Sequence, residues 1–353
     1  MRNHAVVIGA GVNGCLSAIK LAEHGWRVTL IDQGTLGSES SWAGGGILFP
    51  LLPWKYAESV NQLALAGAAR HAELCGQLLK ETGIDPQYQT CGMRVIDEQE
   101  IETALQWCRS HHVVAERQQD HLWLPEVAQA RNPRLMQALR AMISIRGIEL
   151  IEHTQLAPLS NESGHITQWH DTQGHIWNAD AFVITAGAWS QNLLGPHALS
   201  LDLKPVRGQM LLYQLPPDTL PHILYHRDFY LIPRQDGHIL AGSTVEDVGF
   251  DKATTHEIAA ELAAKAAALL PQLADAPVIK HWSGLRPGSP DNIPVIDRHP
   301  GFDNLYLNTG HFRYGVTMAP ASAEIMVSLI NGQKPFLHAA AYAFPSGSPA
   351  TSP

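Results

Sequence analysis

Three glycines and one aspartate near the start of the chain carry the sharpest chemical signal. Gly9, Gly11 and Gly14 fall at the spacing G-x-G-x-x-G, and Asp32 closes the next apolar run. Each residue type has a job in that pattern. Gly9 permits a tight turn, Gly11 lets backbone approach a pyrophosphate, and Gly14 lets a helix pack close to a strand. The N–H groups at the helix start offer positive charge to phosphate oxygens. Asp32 is placed to accept a hydrogen bond from a ribose hydroxyl. This is chemistry for holding a dinucleotide, and the motif alone does not choose between NAD and FAD. A second signal lies toward the other end. Arg286 precedes Pro287-Gly288, and Arg313 sits between Gly310 and Gly315 before a helical run. An arginine in a rigid loop suits a carboxylate, because its planar fork donates two parallel hydrogen bonds. The plainer alternative is that either one pairs with a surface acid.

The elements that must position these residues can be read from the apolar pattern. AVVIG (5–9) is a short β-branched run of the kind a buried parallel strand needs, followed by a helical pattern capped at Gly25 and by a second strand, RVTLID, ending on Asp32. The segment GSESSWAGGGIL (37–48) is too glycine-rich for an element interior. It is either a mobile surface loop or a place where backbone crowds a large planar or phosphorylated ligand. A second glycine loop this close to the first suits FAD lying extended along a sheet edge. Residues 58–82, 97–112 and 133–145 read as helices, and 147–153, 166–171 and 179–190 as strands, the last running into Gly187, a further point of backbone approach. Alternation over 205–214, 222–233 and 238–244 predicts an antiparallel sheet. Residues 256–274 form an alanine-rich helix, and 344–353 is low-complexity and expected to be disordered.

Composition removes several classes. The chain has 353 residues, enough for two domains, which can interleave. Lys+Arg number 24 against Asp+Glu 33, a net charge of −9 without basic runs, so no nucleic-acid footprint is present. No apolar run approaches the roughly 20 residues of a spanning helix. The N-terminus lacks the apolar stretch of a secretory signal, and Cys15, Cys75, Cys91 and Cys108 form neither a CxxC pair nor a zinc spacing, so a reducing cytoplasm is the expected setting. His222 and His226 are four apart without a glutamate between them or an evident third ligand, and no metal site is expected.

Taken together, VVIGAGVNG, the ID pair at 31–32, ESSWAGGGIL, TAGAWS, KPVRGQM, YLIPRQDGHILAGST, GLRPGSPDNIPVI and GHFRYGVTMAP resemble the D-amino acid oxidase family of flavoproteins, closest to its bacterial glycine oxidase branch of thiamine biosynthesis. The resemblance covers nearly all of residues 1–343. It implies an α/β fold: a Rossmann-type FAD-binding domain (1–85, 130–200 and 285–343) interleaved with a smaller α+β substrate domain on an antiparallel or mixed sheet (86–129 and 201–284). It implies FAD held by Gly9, Gly11, Val12, Asn13 and Gly14, with Asp32 and Gln33 at the ribose. Ser40, Ser41, Gly45, Gly46 and Ile47 would line the cofactor toward the flavin, with the Leu156 backbone at the adenine and Gly187 nearby. His311, Phe312, Arg313, Tyr314, Gly315, Val316 and Thr317 would lie along the isoalloxazine. Arg313, Arg286 and Tyr230 match substrate-contacting positions, with Arg313 and Tyr230 the principal pair.

The implied reaction is oxidative deamination of glycine, or of sarcosine or small D-amino acids. Hydride passes to flavin N5, oxygen is the acceptor, and the imine or glyoxylate, ammonia and hydrogen peroxide are the products. The alternatives are a dehydrogenase of the same family with another acceptor, or a flavin-binding subunit without catalysis. No protein general base is required. No cysteine lies in the C-terminal motifs, so the FAD is expected to be non-covalent, and the resemblance implies a homo-oligomer. Two departures stand out. Tyr314 replaces an asparagine common in such enzymes, and FPLLPWKY (49–56) brings Trp54 and Tyr56, which either narrow the substrate side or simply pack.

Overall fold

The computed structural model describes residues 2–96 and 99–345. Its first strand, His4–Ile8, is almost wholly buried, as its β-branched run requires. It lies at the centre of a six-stranded sheet in the order Val295–Arg298, Leu305–Thr309, Ala181–Ile184, His4–Ile8, Arg27–Ile31, Glu149–Ile151. All neighbours pair parallel except the edge strand Val295–Arg298, which is antiparallel. Helices Val12–Glu23, Glu58–Thr82, Asn132–Ile145 and Gly315–Ile330 contribute to the core that contains Val7, Leu30 and Val183. Val6, Ile8 and Ile184 point into a second core with Leu156, Trp169 and Phe302. A sheet buried on both faces explains why its strands read as continuous apolar runs rather than alternating ones. Leu30 is fully buried, and Leu30→Ala is expected to cost about 3 kcal/mol.

A larger, eight-stranded sheet runs Lys280–Gly288, Lys204–Gln214, His238–Gly242, Phe229–Pro233, Ile223–His226, Met93–Ile96, His121–Leu124, Glu116–Gln118. The antiparallel sheet expected over 205–244 is there. It is extended on one side by Met93–Ile96, which pairs parallel with Ile223–His226 and makes the sheet mixed. One face packs against Ala104 and Cys108 of helix Ile101–Ser110, and the other against Leu262 and Ala266 of helix His256–Leu269. Strand Lys280–Gly288 runs across residue 285, and Ala128–Gln129 joins Ile47–Leu48 and Gln89–Thr90 in a separate three-stranded sheet.

Several expected elements are shorter than their sequence patterns. The helix expected over 97–112 is Ile101–Ser110, with residues 97–98 outside those described. ITQWHD (166–171) yields only the strand Trp169–His170, because it pairs solely with the equally short Ile176–Trp177. The disorder expected for 344–353 is corrected at its start. Phe344 is buried against His299 (ring centroids 4.9 Å apart), and its N–H donates to Asp297 Oδ2 at 2.9 Å. Residues 346–353 lie outside the described chain. Among the described residues, no helix is long and apolar enough to cross a membrane.

Candidate active site

Every parallel strand of the six-stranded sheet delivers the loop at its C-terminal end to one cavity. Ile8 leads into Gly9, Gly11, Val12 and Asn13; Ile31 into Asp32 and Gln33; Ile151 toward Thr154, Gln155 and Leu156. Ile184 leads into Thr185–Trp189 and Thr309 into Gly310–Arg313, and all of these residues line the same space. Crevices at the C-terminal ends of parallel strands are where open α/β sheets bind ligands.

The first glycine turn is closed by contact rather than by choice. Gly9 has φ +107°, and a Cβ there would stand 2.6 Å from the Thr185 carbonyl oxygen. A Cβ on Gly14 would sit 1.8 Å from the Gly9 carbonyl oxygen, so Gly14 is where helix meets strand. Of the cofactor-contacting residues expected from the sequence, Gly14 alone does not line the cavity; its part is the packing behind the turn. Helix Val12–Glu23 begins at Gly11, which has no side chain to cap it, and has no acidic residue in its first turn; beyond the Val12 N–H that Ser41 takes, its positive end faces the cavity.

Asp32 ties the turn together. Its Oδ2 accepts from Ala10 N–H at 2.6 Å and its Oδ1 from Gly34 N–H at 2.7 Å. Burial raises its pKa, against the lowering effect of those two donors. Further hydroxyl donors would stabilise that buried carboxylate. Ser41 Oγ accepts from Val12 N–H at 2.9 Å, and Asn132 Nδ2 donates to the Ser41 carbonyl at 2.8 Å, so the second loop is fastened to the first.

The C-terminal side repeats the arrangement. Helix Gly315–Ile330 starts at Tyr314, again with no side-chain cap and no acid in its first turn, and Gly315, Val316 and Thr317 face the cavity. His311 is buried, its Nε2 3.0 Å from Ser322 Oγ, and burial lowers its pKa to about 3. It therefore stays neutral at ordinary pH. His71 supports the same loop from behind, bonding the Val316 carbonyl at 2.9 Å, with its pKa lowered to about 4 by burial.

The remaining wall comes from the eight-stranded sheet. Tyr230, Ser243, Arg286 and Arg313 all line the cavity. Arg286 lies within strand Lys280–Gly288 rather than in the loop its glycine neighbours suggested, and Arg313 in the loop after Thr309 acts electrostatically on it. Arg286 donates to Ser243 Oγ at 2.6 Å and to the Thr244 carbonyl at 3.1 Å, and its side chain is hydrogen-bonded to Tyr230. Burial lowers the Arg286 pKa. Among the described residues, neither Arg286 nor Arg313 forms an ion pair, so the surface-acid alternative fails for both. Gly208 leaves room for the Arg286 fork, since a Cβ there would lie 2.3 Å from both terminal nitrogens.

Tyr314 both lines the cavity and packs. It is buried, donates to the Leu51 carbonyl at 3.0 Å and meets Tyr56 edge-on at 5.5 Å. In the 49–56 loop it is Phe49 and Leu51 that line the cavity, whereas Trp54 and Tyr56 pack into the cores. Sequence reasoning missed Asn132, Thr185, Ser243 and Asn308, all of which line the cavity. His222 meets the Trp123 ring edge at 5.2 Å, and among the described residues no three His, Cys, Asp or Glu side chains are grouped to hold a metal.

The chain matches the family described as FAD dependent oxidoreductase (DAO) over residues 4–329. It belongs to that family. The glycine oxidase of Pseudomonas aeruginosa is 43% identical, covering 98% of this chain and 100% of its own length. The bifunctional protein ThiO/ThiG of Trichormus variabilis is 30% identical over 95% of this chain, which spans 53% of that protein. Among solved structures, glycine oxidase from Geobacillus kaustophilus superposes with a TM-score of 0.91, covering 98% of this chain and 100% of that one at 24% identity. This member of the DAO family is an FAD-dependent amino-acid oxidase.

The cavity fits that cofactor. It has a glycine turn with no room for a side chain, two helix starts without an acidic residue in their first turns, and Asn13 Oδ1 buried without a partner beside the first of them. Helix starts of this kind would suit the negative charge of such a group.

Proposed function

We propose that the protein oxidises glycine, and with lower selectivity sarcosine or small D-amino acids, to the imine and then to glyoxylate and ammonia. The observation that carries this reading is the pair Arg286 and Arg313, both facing the cofactor cavity and both without a carboxylate partner. A half-buried guanidinium without an acidic partner is suited to an anion that joins it, and an amino-acid carboxylate is such an anion. Arg286, with its bond to Tyr230, and Arg313, close enough to act on it electrostatically, hold the carboxylate between them in the same cavity. Ser243 and the Thr244 carbonyl keep the Arg286 fork from turning.

The glycine loops and Asp32 hold the dinucleotide half of the cofactor non-covalently, and 311–317 lie along its ring. The chemistry FAD supplies when bound is two-electron oxidation of the amine, with oxygen as final acceptor and hydrogen peroxide as product. Burial makes His311 a weak base and its Nε2 is engaged by Ser322 Oγ, so no part in taking a proton from the substrate is assigned to it. The chain's own contribution is orientation of the acid and a charge-complementary surround. Pocket shape excludes an added methyl by only about 1–3 kcal/mol, which is why small homologues of glycine are included. The name of the ThiO/ThiG relative supports supply of the product to thiazole synthesis, and four cysteines without disulfides support a cytoplasmic setting.

The test is an anaerobic absorbance spectrum of the purified protein before and after glycine. The expected result is a flavin band that bleaches with glycine and returns with air, releasing peroxide in equal amount. Bleaching by sarcosine or a D-amino acid but not by glycine moves the substrate. A flavin band indifferent to all of these ends the oxidase reading.

A further inference from the structure

The sequence motif YLIPR contributes more than Tyr230. Strand Phe229–Pro233 places alternate residues on one face, and the three on the Tyr230 side converge on a single glycine of the cofactor loop. A Cβ on Gly45 would stand 3.3 Å from Tyr230 Cε2 and 2.5 Å from Ile232 Cδ1. Arg234, next on that face, donates to the Gly45 carbonyl at 2.8 Å. The same guanidinium donates to Gln129 Oε1 and to the Ala130 carbonyl at 3.2 Å. Gln129 in turn donates to the Pro233 carbonyl at 2.7 Å, and Ala130 N–H to the Gly46 carbonyl at 2.9 Å.

This is an unusual place for a cation. Arg234 is only 6% exposed, and its Nε has no partner. Among the described residues no carboxylate forms an ion pair with it; Asp236 nearby is engaged by Arg131 at 2.7 Å. Burying a guanidinium on neutral oxygens alone is expensive, and a simple packing role would be served by an apolar side chain. Its bonds run instead to the loop 44–47, whose residues line the cofactor cavity.

We propose that Arg234 is a positioning residue for the cofactor: it pins loop 44–47 to the strand carrying Tyr230, so that the backbone meeting the flavin and the hydroxyl meeting the substrate keep one fixed spacing. The charge supplies the strength, because a charge-assisted bond to a carbonyl is about twice as strong as a neutral one.

The test titrates FAD into apo-protein for R234M and R234K, following flavin fluorescence, and records the visible spectrum at saturating FAD. R234M is expected to weaken FAD binding by about 30-fold and to alter the shape of the flavin band. R234K keeps a charged donor and should stay within about fivefold of the parent with its spectrum intact. R234M binding FAD within about twofold of the parent overturns the proposal, as does R234K as impaired as R234M, the mark of a role in packing alone. Should R234M fail to fold, Q129A releases one end of the clamp while Arg234 stays. FAD is then expected to bind about fivefold more weakly, and unchanged binding overturns the proposal. None of these readouts uses the amine, so they stand whether or not glycine is the substrate.

Discussion

The cavity has two walls made of different material. On the side of the six-stranded sheet the wall is backbone: glycine turns, two helix starts and carbonyls tied to one another, with Asp32 as its one carboxylate hub. On the side of the eight-stranded sheet the wall is side chain: Tyr230, Ser243 and Arg286, backed by a buried Arg207–Glu246 pair at 2.7 Å. The backbone wall suits a large ligand recognised by shape and phosphate charge. The side-chain wall suits a small acid recognised by one charge. The difference teaches that one enzyme uses two recognition strategies, separable by mutation.

The largest expected effect tests that separation directly. Arg286→Ala should raise KM for glycine by about 100- to 1000-fold, the cost of removing a buried charge partner being about 2–5 kcal/mol, while FAD remains bound. A KM within threefold of the parent would break the assignment of the side-chain wall. Arg313→Ala should act in the same direction by about 100-fold, again with FAD retained. Gly46→Ala is the converse. Gly46 has φ +78°, and a Cβ there would lie 2.1 Å from the Ala130 carbonyl oxygen, so FAD affinity should fall about 30-fold. If glycine KM moves and FAD affinity does not, the two walls are not separable in this way.

A smaller effect concerns pH. His71 and His311 have folded pKa values lowered by burial to about 4 and about 3, below the ordinary 6.5. Below pH 6.5 the unfolded chain binds protons at both positions that the folded chain does not. Stability is therefore full above that value and is lost as pH falls toward 4. At pH 5 each histidine should cost about 2 kcal/mol. His71→Gln should remove about 2 kcal/mol of the stability lost between pH 7.5 and 5, measured by denaturation. His4, His222, His281 and His299, also lowered by burial, contribute to that loss as well, and an unchanged loss would count against the neutral burial of His71. The smallest effect is that of Tyr314→Phe, which deletes the bond to Leu51. It should cost about 1 kcal/mol of stability with kcat within about twofold, and a large kcat loss would show that the hydroxyl, and not only the ring lining the cavity, serves the reaction.

The two walls also differed in how far the sequence revealed them. Glycine spacing is local, so Gly9, Gly11, Gly46 and the helix starts could be placed without coordinates. The side-chain wall depends on strands meeting. The residues suggested Arg286 and Arg313 only as loop arginines, and Tyr230 came from resemblance; the burial of Arg286 and its bond to Tyr230 belong to the pairing of Lys204–Gln214 with Lys280–Gly288. Thr185 and Ser243 lie inside the motifs TAGAWS and YLIPRQDGHILAGST without standing out there, because a single hydroxyl gains its role from what it faces. Strands Glu116–Gln118 and His121–Leu124 went unseen for a related reason: they are short, and all three residues of the first are exposed and polar. The long helix Glu58–Thr82 was legible to the residue, since its pattern is sustained and Gly83, at φ +73°, ends it.

The path of the chain between the two large sheets has a mechanical consequence. It passes from one to the other between Ile31 and Met93, between Leu124 and Glu149, between Ile184 and Lys204, and between Gly288 and Val295. Hinge closure concentrates its bending in a few residues about a single axis. Four crossings distributed along the chain, with Arg234 clamping a fifth contact between strand and loop, oppose any such axis. On this path the expected behaviour is that of a rigid vessel rather than a jaw. Its radius of gyration in solution should be the same with and without a bound carboxylate, and substrate entry should depend on the width of a standing mouth rather than on the rate of a swinging one.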